Sequence, residues 1–401
     1  MPQQSVLREP SIVALQVELA CEALPSLADL EREWRALEAA GGPSFFTSWQ
    51  WIGTLLAALP SPNRPNLLRG RAQGETVALA LLGANITRRR HGLVRSRGLY
   101  LNETGNARFD SLTIEHNGIL AVVGYEGAIL DALFAWFAGR RGEADELYFS
   151  GARLRPPQHV VEGNRLLRTE TAVPSYSVEL RRLSASSGEL DPVLSANARQ
   201  QLRRAFRHFE RIGPLQLREA ATAAEALDFF TALKALHCVS WERRGKKHAF
   251  SGGFFEPFHR LLIERSFSEG GTQLLRAAAG ARVIGYLYNF RLGDRIYAYQ
   301  SGFADADRRE RPGIVTHALA IRHAFRSGVR VYDFMAGRNR LKESFATRCE
   351  PMLWQVFQQP RLAFRLEHLT RRCKDAIVAR KPLLAVKRSD RTTHHPRPAR
   401  G

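Results

Sequence analysis

The sequence has few cysteines and no long apolar run. Its four cysteines, which include no CxxC pair, are Cys21, Cys238, Cys349 and Cys373. They lie too far apart for a compact disulfide framework, which favours a reducing compartment. The most apolar window, residues 119–138, contains Glu126 and Asp131, which a bilayer core would reject. Because the N-terminus also lacks a basic region of the secretory type, we expect a cytoplasmic protein with no transmembrane segment.

Several short motifs of well-known enzyme classes are also absent. The chain contains no P-loop, no HExxH, no GxSxG and no GxGxxG after a strand. These absences leave nucleotide hydrolysis, zinc proteolysis and dinucleotide redox chemistry without support. The histidines are scattered, and the adjacent pair His394 and His395 lies in the C-terminal tail. We therefore expect no metal.

Basic residues are in clear excess. The chain of 401 residues has 59 Lys and Arg against 39 Asp and Glu, a formal net charge of +20. A large share of this excess falls in residues 361–401, which we expect to form a basic tail that is disordered at its end. The charge predicts anionic partners. Nucleic acid is not expected on charge alone, whereas peripheral contact with an anionic membrane through the tail stays open.

One pattern of predicted elements occurs twice along the chain. Each half reads as a helix, three strands, a second helix and a final strand. In the first half the predicted strands are residues 67–72, 76–84, 93–101 and 146–150, and the second helix is residues 118–138. In the second half the predicted strands are residues 273–278, 282–291, 295–302 and 330–335, and the second helix is residues 314–326. The flexible, turn-rich segment 173–196 lies between the halves.

The spacing of the second-half strands predicts a mixed sheet. Turn residues at Ala279-Gly280 and Gly293-Asp294 join three strands, which should therefore be antiparallel. The following helix then connects two strands by a crossover, which normally makes a parallel pair. The expected fold class is α/β (α+β), with two tandem halves, each a mixed β-sheet flanked by helices. We expect an N-terminal half at 1–175, a C-terminal domain at 190–360 and the basic tail.

The segment that precedes the second-half crossover helix resembles a phosphate-binding loop. A strand leads through Arg308, Arg309 and Arg311 into Pro312-Gly313 and the helix. A helix start offers free N–H groups and a positive dipole end, which together can hold a pyrophosphate. Proline suits the first helical turn, and Gly313 would let a phosphate approach the backbone. An ordinary surface turn is the alternative.

Several short stretches of the second half together resemble a known family. Residues 197–358 resemble the BioF2-like acetyltransferase domain of the GNAT superfamily, a branch that includes cellulose-biosynthesis-associated acetyltransferases, and are distantly similar to FemABX peptidyltransferases. The matching stretches are Arg199-Gln-Gln-Leu-Arg-Arg204, His237-Cys-Val-Ser-Trp241, Gly302-Phe303, Arg311-Pro-Gly313, Tyr332-Asp-Phe334-Met-Ala-Gly337 and Lys342. The chain departs from the family pattern after Gly337, where Arg338-Asn-Arg-Leu341 stands before Lys342.

The resemblance implies an acyl-CoA site in the second half. The splayed strands around the crossover helix would hold the pantetheine arm, and the start of that helix would hold the pyrophosphate. The implied donor-binding residues are Ser301, Arg308, Arg309, Arg311, Gly313 and Ile314. The first half has no Arg-Pro-Gly before its helix, and we expect a degenerate copy that shapes the substrate cleft.

Catalytic and acceptor-binding candidates each have a structural alternative. Asp333 lies between two aromatic residues on a strand and is interpreted either as the base for the acceptor or as an ion-pair partner. His237 and Trp241 would share a helix face, either as a buried pair or against the substrate. Tyr299 could protonate the leaving thiolate or pack in the core. Arg199 and Lys342 are either substrate contacts or surface charges.

The function predicted from these residues is acyl-CoA-dependent acyl transfer to an amine or hydroxyl, with acetyl-CoA or another acyl-CoA as co-substrate. The acceptor would be a small molecule or a saccharide, in polysaccharide or envelope metabolism. Two alternatives stay open. One is a FemABX-like aminoacyl transferase, and the other is a non-catalytic basic protein that binds nucleic acid or anionic lipid.

Overall fold

The structure is a computed structural model. It describes residues 15–89, 91–153, 155–183, 190–304 and 310–370. Most of the predicted basic tail therefore lies outside the described residues. Within the described part, no helix combines the length and apolar character that crossing a bilayer requires.

The first half contains the predicted pattern with additions at both ends. Its strands are β1 Glu18–Glu22, β2 Asn66–Ala72, β3 Glu75–Arg89, β4 Val94–Leu101, β5 Leu120–Ala121, β6 Glu146–Ala152 and β7 Leu167–Glu179. Its helices are α1 Leu27–Ala40, α2 Trp49–Ala58, α3 Glu126–Gly139 and α4 Gln158–Gly163. The helix predicted from residue 118 begins eight residues later, because residues 120–121 pair with β3 as a short strand.

The second half contains the predicted strands and crossover helix, with further strands and helices on either side. Its strands are β8 Leu215–Glu219, β9 Thr272–Ala279, β10 Arg282–Leu292, β11 Arg295–Phe303, β12 Val331–Ala336 and β13 Arg348–Gln358. Its helices are α5 Ala196–Glu210, α6 Ala223–Glu242, α7 Phe255–Ser266, α8 Pro312–Arg326, α9 Arg340–Phe345 and a last helix, α10, at 362–370. The antiparallel hairpins and the mixed sheet are confirmed, with Gly280 and Gly293 at positive φ in the two turns.

The two halves share one sheet because each half lends a strand to the other. The main path of the sheet runs β1-β2-β3-β4-β6-β13-β7-β12-β11-β10-β9-β8. Strand β13 pairs with β6 of the first half, and β7 pairs with β12 of the second. The prediction of a linker over residues 173–196 is therefore wrong in its first part, because residues 173–179 belong to β7. The predicted tail also begins too early, because α10 buries Phe364.

Aromatic side chains from both halves form one core beneath the sheet. Phe45 stacks on Phe290 with ring centroids 4.3 Å apart, and Trp51 meets Phe258 at 4.9 Å. These side chains are fully buried, so each contributes about 1.5–3 kcal/mol of hydrophobic stabilisation. This shared core holds the first half directly against the strands that carry the candidate site.

Candidate functional site

The candidate site is the gap between β11 and β12. The two strands pair in parallel over three residues each, ending at Tyr297 and Asp333. On its other side β12 pairs with β7 from Val331 to Ala336, and beyond Tyr297 the strand β11 continues to Phe303 beside β10. The edge of β11 that faces β12 is thus open from residue 298 onwards. We call the cleft at this edge, which has a volume of about 260 Å³, the acyl slot.

Helix α6 forms one wall of the acyl slot. It crosses β11 so closely that a Cβ atom on Gly302 would collide with the carbonyl oxygen of Leu233. A glycine at this position is therefore required for the close approach of helix and strand. One turn further along α6, His237 and Trp241 line the slot, with their rings stacked at 5.5 Å. The two residues thus share a helix face along the cleft, and their contact with substrate remains a prediction.

The hydrogen bond of His237 fixes its tautomer. Its Nδ1 atom lies 2.9 Å from the carbonyl oxygen of Ser301. Because a carbonyl only accepts hydrogen bonds, Nδ1 carries the proton and Nε2 carries the lone pair. Burial lowers the pKa of His237 below its ordinary value, although the bond to Ser301 opposes this effect. Within the described residues Nε2 is buried without a hydrogen-bond partner, so a neutral imidazole is available to accept a proton in the slot.

The start of α8 lies beside residues that line the acyl slot. A Cβ atom on Gly313 would lie 3.2 Å from the ring of Phe303 and 3.5 Å from Leu341, and both of these residues line the slot. Arg311 caps the helix in the left-handed conformation and is exposed, and Ile314 follows in the first turn. Among the predicted phosphate contacts, Arg308 and Arg309 lie outside the described residues. The predicted role of this helix start remains a prediction.

Lys342 lies at the opposite wall of the slot. Its ammonium donates hydrogen bonds to the carbonyl oxygens of Ala336 at 2.7 Å and Met335 at 3.3 Å. Burial lowers the pKa of Lys342, while the carboxylates of Glu115 and Asp333 raise it. The side chain both lines the slot and ties α9 to the end of β12, so its predicted contact with substrate remains compatible with the geometry.

Asp333 does not lie in the slot but in a buried ion cluster between the halves. Its Oδ2 atom lies 2.8 Å from Arg295, 3.3 Å from Arg153 and 3.2 Å from His116. Burial by itself would raise the pKa of Asp333, but the hydrogen bond from His116 and the two guanidinium charges hold it at about 2. A carboxylate with such a low pKa is a poor base at neutral pH. The ion-pair interpretation is the one that fits these contacts.

The contacts of Tyr299 and Arg199 do not fit the roles predicted for them. The Tyr299 hydroxyl donates to the Leu112 carbonyl of the first half and lies 3.2 Å from Nε2 of His259. Its proton is therefore directed away from a leaving group in the slot, although the ring lines it. Arg199 on α5 donates to the Asp191 carbonyl at 3.1 Å and is not among the described residues that line the slot.

The first half repeats the strand geometry but closes the gap with its own chain. Strands β4 and β6 pair in parallel over three residues each, as β11 and β12 do. Beyond that point Asn117 bridges to Ala152 and donates to the Leu101 carbonyl at 2.9 Å. At the start of α3, the Glu126 carboxylate accepts the Gly124 N–H at 2.9 Å. A carboxylate thus stands at the first position of α3, where α8 has Pro312, and its negative charge disfavours a phosphate.

Comparison with known proteins agrees with this geometry. Residues 196–343 match the family model described as an acetyltransferase (GNAT) domain. This stretch of the chain is a GNAT acyltransferase domain. The protein is therefore an enzyme, and the non-catalytic alternative is set aside. No curated protein matches the chain significantly. Among the described residues, no group of three or more His, Cys, Asp or Glu side chains is arranged to hold a metal ion.

Solved structures share the fold at low sequence identity. The C-terminal domain of a putative lysylphosphatidylglycerol synthetase from Agrobacterium fabrum has 13% identity and a TM-score of 0.51, covering 86% of this chain and 95% of that chain. FemX has 9% identity and a TM-score of 0.52, covering 81% and 95%. A tandem GNAT protein from the clavulanic acid biosynthesis pathway has 11% identity and a TM-score of 0.44, covering 86% and 100%. The first two of these likenesses confirm the mixed α/β architecture.

Sequence reasoning missed two residues near the slot. His317 lines the slot from α8, but its position on an apolar helix face made it resemble a core residue. Glu115 comes from the first half, and its carboxylate accepts the Ala336 N–H at 2.7 Å. Nothing in the local sequence around Glu115 reveals this contact, because its partner lies 221 residues away.

Proposed function

We propose that the enzyme transfers an acyl group from an acyl-CoA to an amine or hydroxyl acceptor in the acyl slot. The observation that carries this proposal is His237, which lines the slot at the open edge of β11 and whose Nε2 carries a lone pair that no described residue uses. A neutral base at that position can take the proton of an acceptor that attacks the thioester.

The geometry of the slot also supports a CoA donor. The open edge of β11 provides backbone groups that an extended pantetheine arm can bind, in the manner of an added strand. The start of α8, with Gly313 and the exposed Arg311, borders the same slot and suits a pyrophosphate. The described residues that line the slot include Arg244 and Lys342 and no carboxylate, which suits an anionic donor.

The proposed reaction is direct transfer. The acceptor N–H or O–H hydrogen bonds to Nε2 of His237, its heteroatom attacks the thioester carbonyl carbon, and the proton moves to His237. The C–S bond then breaks as the carbonyl reforms, and CoA leaves as a thiolate that takes the proton back from His237. The products are the acylated acceptor and free CoA, so the enzyme returns to its starting protonation state.

An aminoacyl donor is the second candidate. It is supported by the likeness in fold to FemX, which covers 81% of this chain. The same slot would then receive an ester-linked aminoacyl group in place of a thioester. The acceptor in either case is proposed to be a small molecule or a saccharide, as the resemblance to cellulose-associated acetyltransferases suggests.

Calorimetry and a thiol-release assay test the proposal together. The purified full chain is titrated with CoA and acetyl-CoA, and then incubated with acetyl-CoA and a panel of amines, amino sugars and polyols. We expect saturable binding and acceptor-dependent release of free thiol. The absence of CoA binding, combined with turnover of an aminoacyl-tRNA, would overturn the CoA assignment in favour of the second candidate.

A further inference from the structure

A second histidine faces the acyl slot from the opposite side. His317, in the second turn of α8, packs between the rings of Phe303 on β11 and Phe334 on β12, with centroids 5.8 and 5.2 Å away. Both phenylalanines line the slot, as His317 does. The imidazole thus lies beneath the splay of the two strands, whereas His237 reaches the same slot from α6.

The partner of His317 fixes the opposite tautomer. Its Nδ1 atom lies 3.0 Å from the hydroxyl of Tyr332, which is fully buried. Within the described residues this is the hydroxyl's single hydrogen bond, so its proton is satisfied only if the O–H donates to Nδ1. The Nδ1 atom then carries the lone pair and Nε2 carries the proton. Burial lowers the pKa of His317 to about 3, which keeps the ring neutral.

The two histidines therefore offer complementary groups to the slot. His237 presents an acceptor, because its Nδ1–H is used by the Ser301 carbonyl. His317 presents a donor, because its Nδ1 is used by the Tyr332 hydroxyl. A nucleophilic addition to a carbonyl needs both groups, one to remove a proton and one to stabilise the oxygen that becomes negative.

We propose that Nε2–H of His317 donates a hydrogen bond to the thioester carbonyl oxygen and stabilises the oxyanion formed during acyl transfer. This proposal rests on the proposed function. In the balanced reaction given above, the electron pair of the C=O bond moves to the oxygen as the acceptor attacks, His317 holds that oxygen, and the pair returns when the C–S bond breaks. His317 keeps its proton throughout.

The tautomer can be measured without any activity. Long-range proton–nitrogen NMR of the full chain with labelled histidine distinguishes the two neutral tautomers of each ring. We expect the Nε2–H form for His317 and the Nδ1–H form for His237. An Nδ1–H form for His317 would overturn the proposal, since no donor would then face the slot.

Kinetics separate an oxyanion contact from binding of the pantetheine arm. We expect His317→Leu to lower kcat by about 10²- to 10³-fold, the usual effect of losing one oxyanion donor, with unchanged affinity for free CoA, which has no thioester carbonyl. His317→Gln, whose amide can donate, should recover part of the rate. The matched control is His323→Gln, a histidine on the same helix that pairs with Glu219 outside the slot and should leave kcat unchanged.

The possible failures are distinguishable. A folded His317→Leu enzyme with normal kcat, or one whose main defect is weaker CoA binding, would overturn the oxyanion assignment and leave the acyltransferase function intact. If the wild-type enzyme neither binds nor turns over acyl-CoA, the proposed function fails and the His317 assignment fails with it.

Discussion

Gly302 lies against the carbonyl oxygen of Leu233, so that a single added Cβ atom would separate α6 from β11. His237 lies one turn after Leu233 and depends on this contact for its position over the Ser301 carbonyl. We expect Gly302→Ala to lower both the melting temperature and kcat, because the helix must shift to relieve the collision. Gly253→Ala is the control, since a Cβ atom there meets nothing within 4 Å. Equal melting temperatures and equal kcat values for the two variants would show that the close contact of α6 with β11 does not position His237.

His237→Gln should reduce kcat by about 10²- to 10⁴-fold, the usual range for loss of a general base, with CoA affinity nearly unchanged. Because the neutral ring is the active form and burial lowers its pKa, wild-type kcat should fall only as the pH drops below the ordinary histidine value of 6.5. That acid limb should vanish in His237→Gln. A persistent acid limb in the variant would assign the titration to another group.

Asp333→Asn should act on stability. Removing the buried charge leaves Arg295 and Arg153 without their shared partner, which costs about 3–5 kcal/mol of unfolding free energy. Asp294→Asn is the control, because its ion pair with Arg330 is exposed and should cost at most about 1 kcal/mol. Chemical denaturation measures both. A stable Asp333→Asn enzyme with a large loss of kcat would restore the catalytic interpretation.

The pH dependence of stability follows from the same carboxyl. Its folded pKa of about 2 lies below its ordinary value of 3.8. The stabilisation from Asp333 is therefore complete above the unfolded pKa and is lost as the pH falls through the folded pKa. We expect acid unfolding of the wild type to steepen below about pH 4, and the Asp333→Asn variant to lack this component.

Arg311→Glu should weaken CoA binding by roughly tenfold, if a charge-assisted phosphate contact of about 1–2 kcal/mol is lost and the new carboxylate repels the pyrophosphate. Arg326→Glu makes the same charge change at the other end of α8 and should leave CoA affinity unchanged. Calorimetry at fixed ionic strength compares the two. Identical losses would indicate a general effect of net charge.

The closed gap of the first half predicts a stoichiometry. Because Asn117 and its neighbours occupy the space between β4 and β6, and Glu126 blocks the start of α3, we expect one CoA per chain. The fitted stoichiometry from calorimetry checks this. A value near two would show that the first half retains a donor site.

Local patterns predicted most of the second half. Short runs of mostly apolar residues bounded by the turns at Gly280 and Gly293 predict β9, β10 and β11, and these strands lie within one or two residues of the expected bounds. Strands β7 and β13 escaped prediction because their stability comes from pairing with each other and with strands distant in sequence. The proline and polar residues of β7 look like a linker until those partners are known.

The candidate site was predicted only in part, because some of its contacts join residues that are distant in sequence. His237, Trp241, Ser301 and Lys342, which the sequence analysis named as candidates, line one cleft, and their roles remain predictions. The environment of Asp333 depends on Arg153 and His116, which lie in the first half and cannot be placed by the local sequence. His317 was not predicted, because it lies on the apolar face of α8 at the spacing that core residues have.

The most direct test of the account is a titration of the histidine-labelled full chain with CoA, followed by NMR. We predict that the resonances of His237 and His317 shift together and saturate at one equivalent of CoA. The resonance of His259, which is fully buried and contacts Tyr288 and Tyr299, should stay in place. Saturable CoA binding that leaves His237 and His317 unshifted would contradict the assignment of the acyl slot between β11 and β12.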